Sequence, residues 1–400
     1  MDKKMIFVLL AVFLLVLGTF VSGTILTPYA QNMGATWLQI GILTGSMYVV
    51  RLFIGTPTGK LADKKGTLKV LKYSLLLYPL IAIAYCLSFN IYSLIGARLL
   101  HGVASAMMLP MAMAYVGQGS PVGMEGRYMS IYNLCIMMAS GIGPIISTAI
   151  VDRYDYKATF ITLFVLAVIA LLVVIFSQRD QDIENESYSK TYVVRHKHLK
   201  SINLLRNKGL MALSCVNISL AIVSSLVGFF LILFLKIRGM ELIFTGSVLA
   251  VYNIVSGIVQ LPLGRIIDKY NKVLIALLSS VVTAAALLVI PITNNIFIIG
   301  TAIILLSFGT AALSSAASAL SIIVGREIGM GSTMGFLSTA NSIGMMFGCI
   351  SLSLMPGMKF KYESIFYLAS SIVIASTFLF TLFWLRYKEN YDSYLLDTNL

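Results

Sequence analysis

The sequence predicts an all-α integral membrane protein of twelve transmembrane helices, arranged as two pseudo-symmetric six-helix bundles. Three observations lead there. Hydrophobic residues make up 58% and charged residues 11% of the 400 positions, with a mean hydropathy of +0.91, whereas soluble domains carry roughly a quarter charged residues. The apolar residues gather into twelve stretches, each near the roughly 20 residues that a helix needs to cross a bilayer. A short basic signature also occurs twice. Pro57-Thr58-Gly59-Lys60-Leu61-Ala62-Asp63-Lys64-Lys65 returns as Pro262-Leu263-Gly264-Arg265-Ile266-Ile267-Asp268-Lys269-Tyr270, so Pro57 to Pro262, Gly59 to Gly264 and Asp63 to Asp268 share one offset of 205. Gly41 and Gly246 keep the same register upstream. A repeat of about half the chain in so apolar a sequence implies a duplicated membrane domain.

The expected spans lie near 5–29, 37–59, 70–89, 91–117, 128–150, 158–178, 209–235, 243–264, 273–292, 295–324, 333–355 and 364–386. Transmembrane β-strands are half as long and alternate in polarity, which these stretches do not. The apolar run after Met1–Lys4 is too long for a signal sequence and reads as an uncleaved first helix. Residues 1–178 would form the N-terminal bundle, 179–208 a cytoplasmic linker, and 209–400 the C-terminal bundle with a short tail. The linker is the longest polar segment, acidic first (Asp180, Asp182, Glu184, Glu186) and basic after (Arg195, Lys197, Lys200, Arg206, Lys208). His196 and His198 lie in it and read as solvent-exposed.

The net charge of +13 invites a nucleic-acid reading that the positions of the charges reject. With the N-terminus inside, 21 Lys and Arg fall in cytoplasmic segments and six in outer ones (Arg153, Lys157, Lys236, Arg238, Lys359, Lys361). That bias matches the positive-inside rule, with both termini in the cytoplasm, and it leaves anionic lipid as the partner of the excess charge. Cys86, Cys135, Cys215 and Cys349 each fall within a span without C-x-x-C spacing or a nearby His, so no metal site is expected. No phosphate loop, H-E-x-x-H or nucleophile elbow occurs, so neither an enzyme nor a bound cofactor is expected. The outer loops are too short for a receptor ectodomain.

Within the first signature, Gly59-Lys60-Leu61-Ala62-Asp63-Lys64-Lys65-Gly66 resembles the cytoplasmic loop motif G-x-L-A-D-R-x-G-R-(K/R) of the major facilitator superfamily of secondary transporters. It departs at Thr67 and Leu68, with Lys69 standing near the missing basic residue. The chemistry reads without the family. Gly59 lets a backbone approach closely, and Asp63 can pair with basic groups or cap a neighbouring helix N-terminus, holding the halves closed. Gly264, Arg265 and Asp268 repeat the arrangement. Arg98-Leu99-Leu100-His101-Gly102 resembles the family's R-x-x-x-G motif in the fourth span, where Gly102 permits close packing. Ser130, Ala139, Gly143-Pro144, Ser147 and Thr148 resemble a degenerate form of the exporter motif in the fifth span. Pro144 would bend that helix, and small side chains would let it cross its partner from the other half. Gly344 and Gly348 supply a matching small face in the eleventh span. The resemblance implies the major facilitator fold and alternating access, and it points to the drug:proton antiporter branch. Ordinary helix packing remains the other reading of these glycines.

Proton coupling usually needs a titratable group within the membrane. No Asp or Glu lies well inside a span; Glu125, Asp152, Asp155, Glu241, Glu327 and Glu363 sit at ends or in loops. The embedded ionisable groups are Arg51, Arg98 and His101, of which only histidine titrates near physiological pH. Arg98 and His101, at i and i+3, share a helix face. Two readings of His101 stand, a proton-linked element with Arg98 and with Asp63 at the gate, or a histidine that only hydrogen-bonds a backbone carbonyl. Arg51 must find a partner or water, as a gate or as a substrate contact. Pocket residues are expected among Thr24, Tyr29, Asn133, Asn217, Phe229, Phe230, Asn253 and Asn341, because membrane asparagine is costly unless paired. Met107, Met108, Met111, Met113, Met137 and Met138 add adaptable surface or plain packing.

Together these features predict a monomeric plasma-membrane transporter for proton-coupled efflux of drug-like or amphipathic small molecules. Transport of sugars, organic anions or metal-chelating metabolites is the alternative, and a non-transporting sensor or scaffold on the same fold is the second.

Overall fold

The protein is described here by a computed structural model covering residues 2–176, 204–240, 242–354 and 362–397. Six helices come from the first half of the chain: α1 (Lys3–Thr24), α2 (Trp37–Lys65), α3 (Thr67–Cys86), α4 (Ile91–Gln118), α5 (Glu125–Val151) and α6 (Tyr156–Phe176). Six more follow: α7 (Lys208–Ser225), α8 (Leu242–Lys269), α9 (Lys272–Ile292), α10 (Ile296–Ile328), α11 (Met330–Leu354) and α12 (Glu363–Asp397). Among the described residues, eleven helices are long and apolar enough to cross a membrane; α11, at 25 residues, fills the remaining position. Most of the segment expected as a linker lies outside the described residues. Leu204–Arg206 forms a 3-10 turn before α7 begins.

Capping defines the helix ends. Thr36 opens α2 through a capping box with Gln39, and Asn90 opens α4 through one with Ser93. Asn207, Asn271 and Asn295 each accept a backbone N–H at the start of α7, α9 and α10. The turn from α2 to α3 passes through Gly66 at φ +94°, a conformation that costs glycine little. Two helices are interrupted. In α1 the regular ladder stops at Thr24 and, after Ile25, a short helix Leu26–Asn32 carries on. In α7 a π-turn spans Leu226–Leu231 before Ile232–Ile237 completes the span. Ile25 and Phe230 are 205 residues apart, so both interruptions fall at one position of the repeat.

Each half has its own interior. One apolar cluster runs through α1 to α6 from Met5 to Val174 and takes in Ile322, Met330 and Met334 from the other half. The second half holds two clusters, one around Phe230, Phe234 and Phe366 and one around Leu213, Leu313 and Phe380. The halves meet chiefly where α2 crosses α11 and α5 crosses α8. Lys60, Lys64, Lys65, Arg127, Arg265 and Lys269 are all exposed at one end of the bundle, called here the basic end.

Candidate functional site

Helix N-termini carry free N–H groups and a partial positive charge, so a carboxylate placed there is stabilised. At the basic end each half supplies such a carboxylate to the other. Asp63, near the end of α2, accepts the backbone N–H groups of Gly331 and Ser332 at the start of α11, both at 2.7 Å. Asp268, near the end of α8, accepts those of Gly126 at 2.7 Å and Arg127 at 3.2 Å at the start of α5. Arg127 Nε adds a 3.6 Å ion pair to Asp268. Gly126 and Gly331 are 205 apart, as are Arg127 and Ser332. The two caps are one interaction made twice by the repeat, and they hold the basic end shut.

Glycine permits the approach. A Cβ on Gly59 would collide with the carbonyl oxygen of Gly331, and one on Gly335 would lie 2.5 Å from the Gly55 carbonyl oxygen. Gly329, at φ +124°, starts α11 where a Cβ would lie 2.6 Å from an Asp63 carboxylate oxygen. At the other crossing, a Cβ on Gly264 would meet Ser130 Oγ at 2.9 Å. Ser130 donates to Ser315 Oγ of α10 at 3.3 Å, and Ser315 in turn donates to the amide oxygen of Gln260. Beside this crossing Glu125 receives Arg326 Nη1 at 2.5 Å and stands 3.9 Å from Lys272 Nζ. The Arg326 Nη2 donates to the Ser120 carbonyl at 2.7 Å. Lys64, Lys65 and Arg265 take no part in these ties and face outward.

Farther from the basic end the interior turns cationic. Arg51 and Arg98 are 7% and 9% exposed, and His101 is fully buried. Arg51 Nη2 donates to Ser338 Oγ of α11 at 3.3 Å, and its guanidinium stands 5.8 Å from the Tyr48 ring centre. The Tyr85 hydroxyl lies 3.1 Å from His101 Nδ1 and beside the Arg98 guanidinium, so it joins the two α4 residues. Tyr78 packs edge-on against the imidazole at 5.5 Å. Asn133 is buried one turn beyond Ser130 on α5.

The asparagines expected near the pathway divide. Asn253 accepts Ser140 Oγ at 3.2 Å across the α5–α8 crossing, whereas Asn217 donates to the Leu213 carbonyl of its own helix at 2.9 Å. Asn341 lies half-buried on α11, three residues beyond Ser338. Thr24 is exposed and bonds back to Phe20 O at 2.7 Å. Tyr29 sits inside the first half, bonded to the Ser88 carbonyl at 3.3 Å and packed on Tyr156 and Phe160. Phe230 belongs to the core of the second half, against Phe234 and Phe366; the side chain of Phe229 lies outside the described residues. Met108 and Met111 are buried in the first core, while Met137 and Met138 abut Gly257 of α8.

One expectation needs correction. The small face at Gly143-Pro144 does not meet the other half. A Cβ on Gly143 would lie 2.5 Å from Phe20 Cβ of α1, and the Ser147 hydroxyl donates to the Val21 carbonyl at 2.7 Å. Gly344 and Gly348 likewise abut Ile218 and Ser225 of α7, and Gly102 abuts Met47 and Val50 of α2. The crossing between halves on α5 uses Gly126, Ser130 and Gly141. These two sets lie on different faces of one helix. Sequence reasoning missed Arg326, Gln260, Ser315 and Tyr85; for Arg326 the available signal was a charge next to the α10–α11 turn.

Residues 8–349 match the family model described as Major Facilitator Superfamily. An uncharacterized MFS-type transporter of Methanocaldococcus jannaschii is 24% identical over 378 residues, spanning 93% of this chain and 97% of its own. The multidrug transporter protein MdtP of Bacillus subtilis is 28% identical over 171 residues, 42% of this chain and 30% of its own. The quinolone resistance protein NorA of Staphylococcus aureus is 25% identical over 147 residues, 36% of this chain and 38% of its own. Among solved structures, the human organic anion transporter MFSD10 superposes with a TM-score of 0.76 at 13% identity, over 95% of this chain and 100% of its own. The proton:xylose symporter XylE does so with a TM-score of 0.76 at 10% identity, over 94% of each chain. At such identities the likeness speaks to the fold.

Proposed function

The chain belongs to the major facilitator superfamily, and from that premise we propose that it is a cell-membrane secondary transporter that exports amphipathic small molecules in exchange for protons. The basic end and both termini face the cytoplasm in this reading, which the positive-inside bias supports. The observation that carries it is the reciprocal capping by Asp63 and Asp268. A cap between halves is an interaction that forms when the basic end closes and is lost when it opens, which is what alternating access around a central site requires. Export is supported by the drug-efflux names of MdtP and NorA and by the resemblance of Ser130, Ala139, Gly143-Pro144, Ser147 and Thr148 to the exporter motif. For proton exchange the group we assign is His101, which Tyr85 couples to Arg98. The related position of neither guanidinium carries charge in the second half, where Ser256 and Ile303 replace Arg51 and Arg98.

The test is flux in proteoliposomes holding the purified chain. With an imposed pH gradient, a fluorescent amphipathic dye should move against its own gradient, and His101→Gln should abolish the response to pH. Dye movement that ignores the pH gradient would remove the proton, and no flux of any panel compound would favour a sensor or scaffold.

A further inference from the structure

Apart from the hydroxyls of Thr19 and Thr333, the buried side-chain polar atoms without a hydrogen-bond partner among the described residues are all nitrogens: Arg51 Nε, Arg98 Nε, His101 Nε2 and Asn133 Nδ2. Their residues are more than nine-tenths buried. A guanidinium Nε and an amide nitrogen can only donate. The Tyr85 hydroxyl and His101 Nδ1 share a hydrogen bond whose direction follows the imidazole tautomer, so three of the four atoms, Arg51 Nε, Arg98 Nε and Asn133 Nδ2, are fixed donors without an acceptor.

Two of the four belong to fixed positive charges, and taking like charges out of water is costly unless something negative meets them. Among the described residues no acidic side chain stands there. The described acidic side chains lie at helix ends and turns, Asp2, Asp63, Glu125, Asp268 and Glu327 at the basic end and Asp152, Asp155 and Glu363 at the other. Tyr48 lies within electrostatic reach of both guanidinium groups. Arg51 faces α11 through Ser338, which puts it between the halves. Next to it Met47, Tyr48 and Cys349 form a small buried cluster with Met345 and Met346 packed on it, a soft apolar wall.

We infer that Arg51 and Arg98, with the Tyr48 hydroxyl, form the recognition site for the carboxylate of an organic anion whose apolar body lies against Met47, Met345 and Met346. The planar fork of arginine matches a carboxylate in two parallel hydrogen bonds, which an amide or an amine cannot accept in the same way. An ammonium ligand would add a third positive charge to two unpaired ones. The assignment rests on the transporter reading and names its substrate class.

The test uses the purified full chain in nanodiscs and three compounds with one apolar body: 4-phenylbutyrate, 4-phenylbutyramide and 4-phenylbutylamine. Calorimetric titration should show the carboxylate binding at least about tenfold more tightly than the amide, with no binding of the amine. Arg51→Gln and Arg98→Gln should each weaken the carboxylate by about tenfold or more, and Arg98→Lys should restore only part of it. The comparison of ligands needs no variant, so a misfolded variant leaves it intact. Equal binding of the three, preference for the amine, or no binding at all overturns the assignment. The same three compounds in the proteoliposome assay separate the two claims. Flux of the amine alone keeps the transporter and removes the anion site; carboxylate binding without flux keeps the site and removes the transporter.

Discussion

Where α2 crosses α11, the four closest positions are Gly55, Gly59, Gly331 and Gly335. Shifted by the repeat, the same positions at the α8–α5 crossing are Gln260, Gly264, Gly126 and Ser130. The Asp caps survive in both places, but the packing behind them does not. At Gly59 and Gly335 the first crossing is backbone against backbone, while the Thr339 hydroxyl lies against Gly55. The other is filled by Gln260, Ser130 and Ser315, and beside it stands the Glu125–Arg326–Lys272 cluster. The repeat equivalents of those three are Met330, Pro121 and Thr67, so the first crossing has no such cluster. Duplication preserved the directional electrostatics and let the interior diverge. The α2–α11 contact should therefore behave as a stiff pivot, and the α5–α8 contact as a latch held by replaceable polar ties.

Gly59→Ala gives the largest expected effect, because overpacking two backbones costs about 1–3 kcal/mol or more and nothing nearby can rotate aside. At about 3 kcal/mol transport should fall by roughly a hundredfold, and spin labels at Lys64 and Tyr270, both exposed and in opposite halves, should report a wider basic end. Gly264→Ala meets Ser130 Oγ at 2.9 Å and the Arg127 Cα at 3.0 Å, a looser approach than at Gly59, and should cost less than half as much in flux. Equal damage from both would break the comparison.

Glu125→Gln comes next. It strands a partly buried Arg326, which retains only the Ser120 oxygens, at a cost of about 2 kcal/mol after allowing for the exposure of the arginine. The balance at the basic end should move toward open by roughly 30-fold, read by the same label pair. Asp63→Asn and Asp268→Asn should each cost about 1 kcal/mol as lost charged caps. Amide hydrogen exchange should speed up at Gly331 and Ser332 in the first and at Gly126 and Arg127 in the second. Asp63→Asn should open the end further, since the α5 side keeps its ion cluster; the reverse order would place the latch on α11. The smallest effect belongs to Ser315→Ala, which loosens Gln260 for about 1 kcal/mol, measured as a lowered Tm in nanodiscs with the label distance unchanged.

The features legible in the sequence were those governed by composition or by the repeat. Span positions follow from the cost of polar backbone in a bilayer, and helix starts such as Trp37 and Ile91 differ little from the apolar boundaries. The burial of Arg51 and Arg98 follows from the same cost. Which face a residue presents is another matter. Gly143 and Ser130 belong to one motif of small residues on one helix, yet one packs on α1 and the other on α8. Tyr29 and Phe230 were drawn toward the pathway by their type, and each packs inside its own half. The Glu125–Arg326 pair joins residues 201 positions apart, and no local spacing announces it.

The interruptions in α1 and α7 sit at equivalent depths, at Ile25 and within Leu226–Leu231. An unbroken helical ladder resists bending along its whole length, while a locally re-registered one yields at the fault. Each half therefore possesses a preset hinge in its opening helix, separating a rigid stalk from a short lever beyond it. The pair gives the mouth opposite the basic end a way to narrow by tilting two tips, without first releasing Asp63 or Asp268 from the helices they hold.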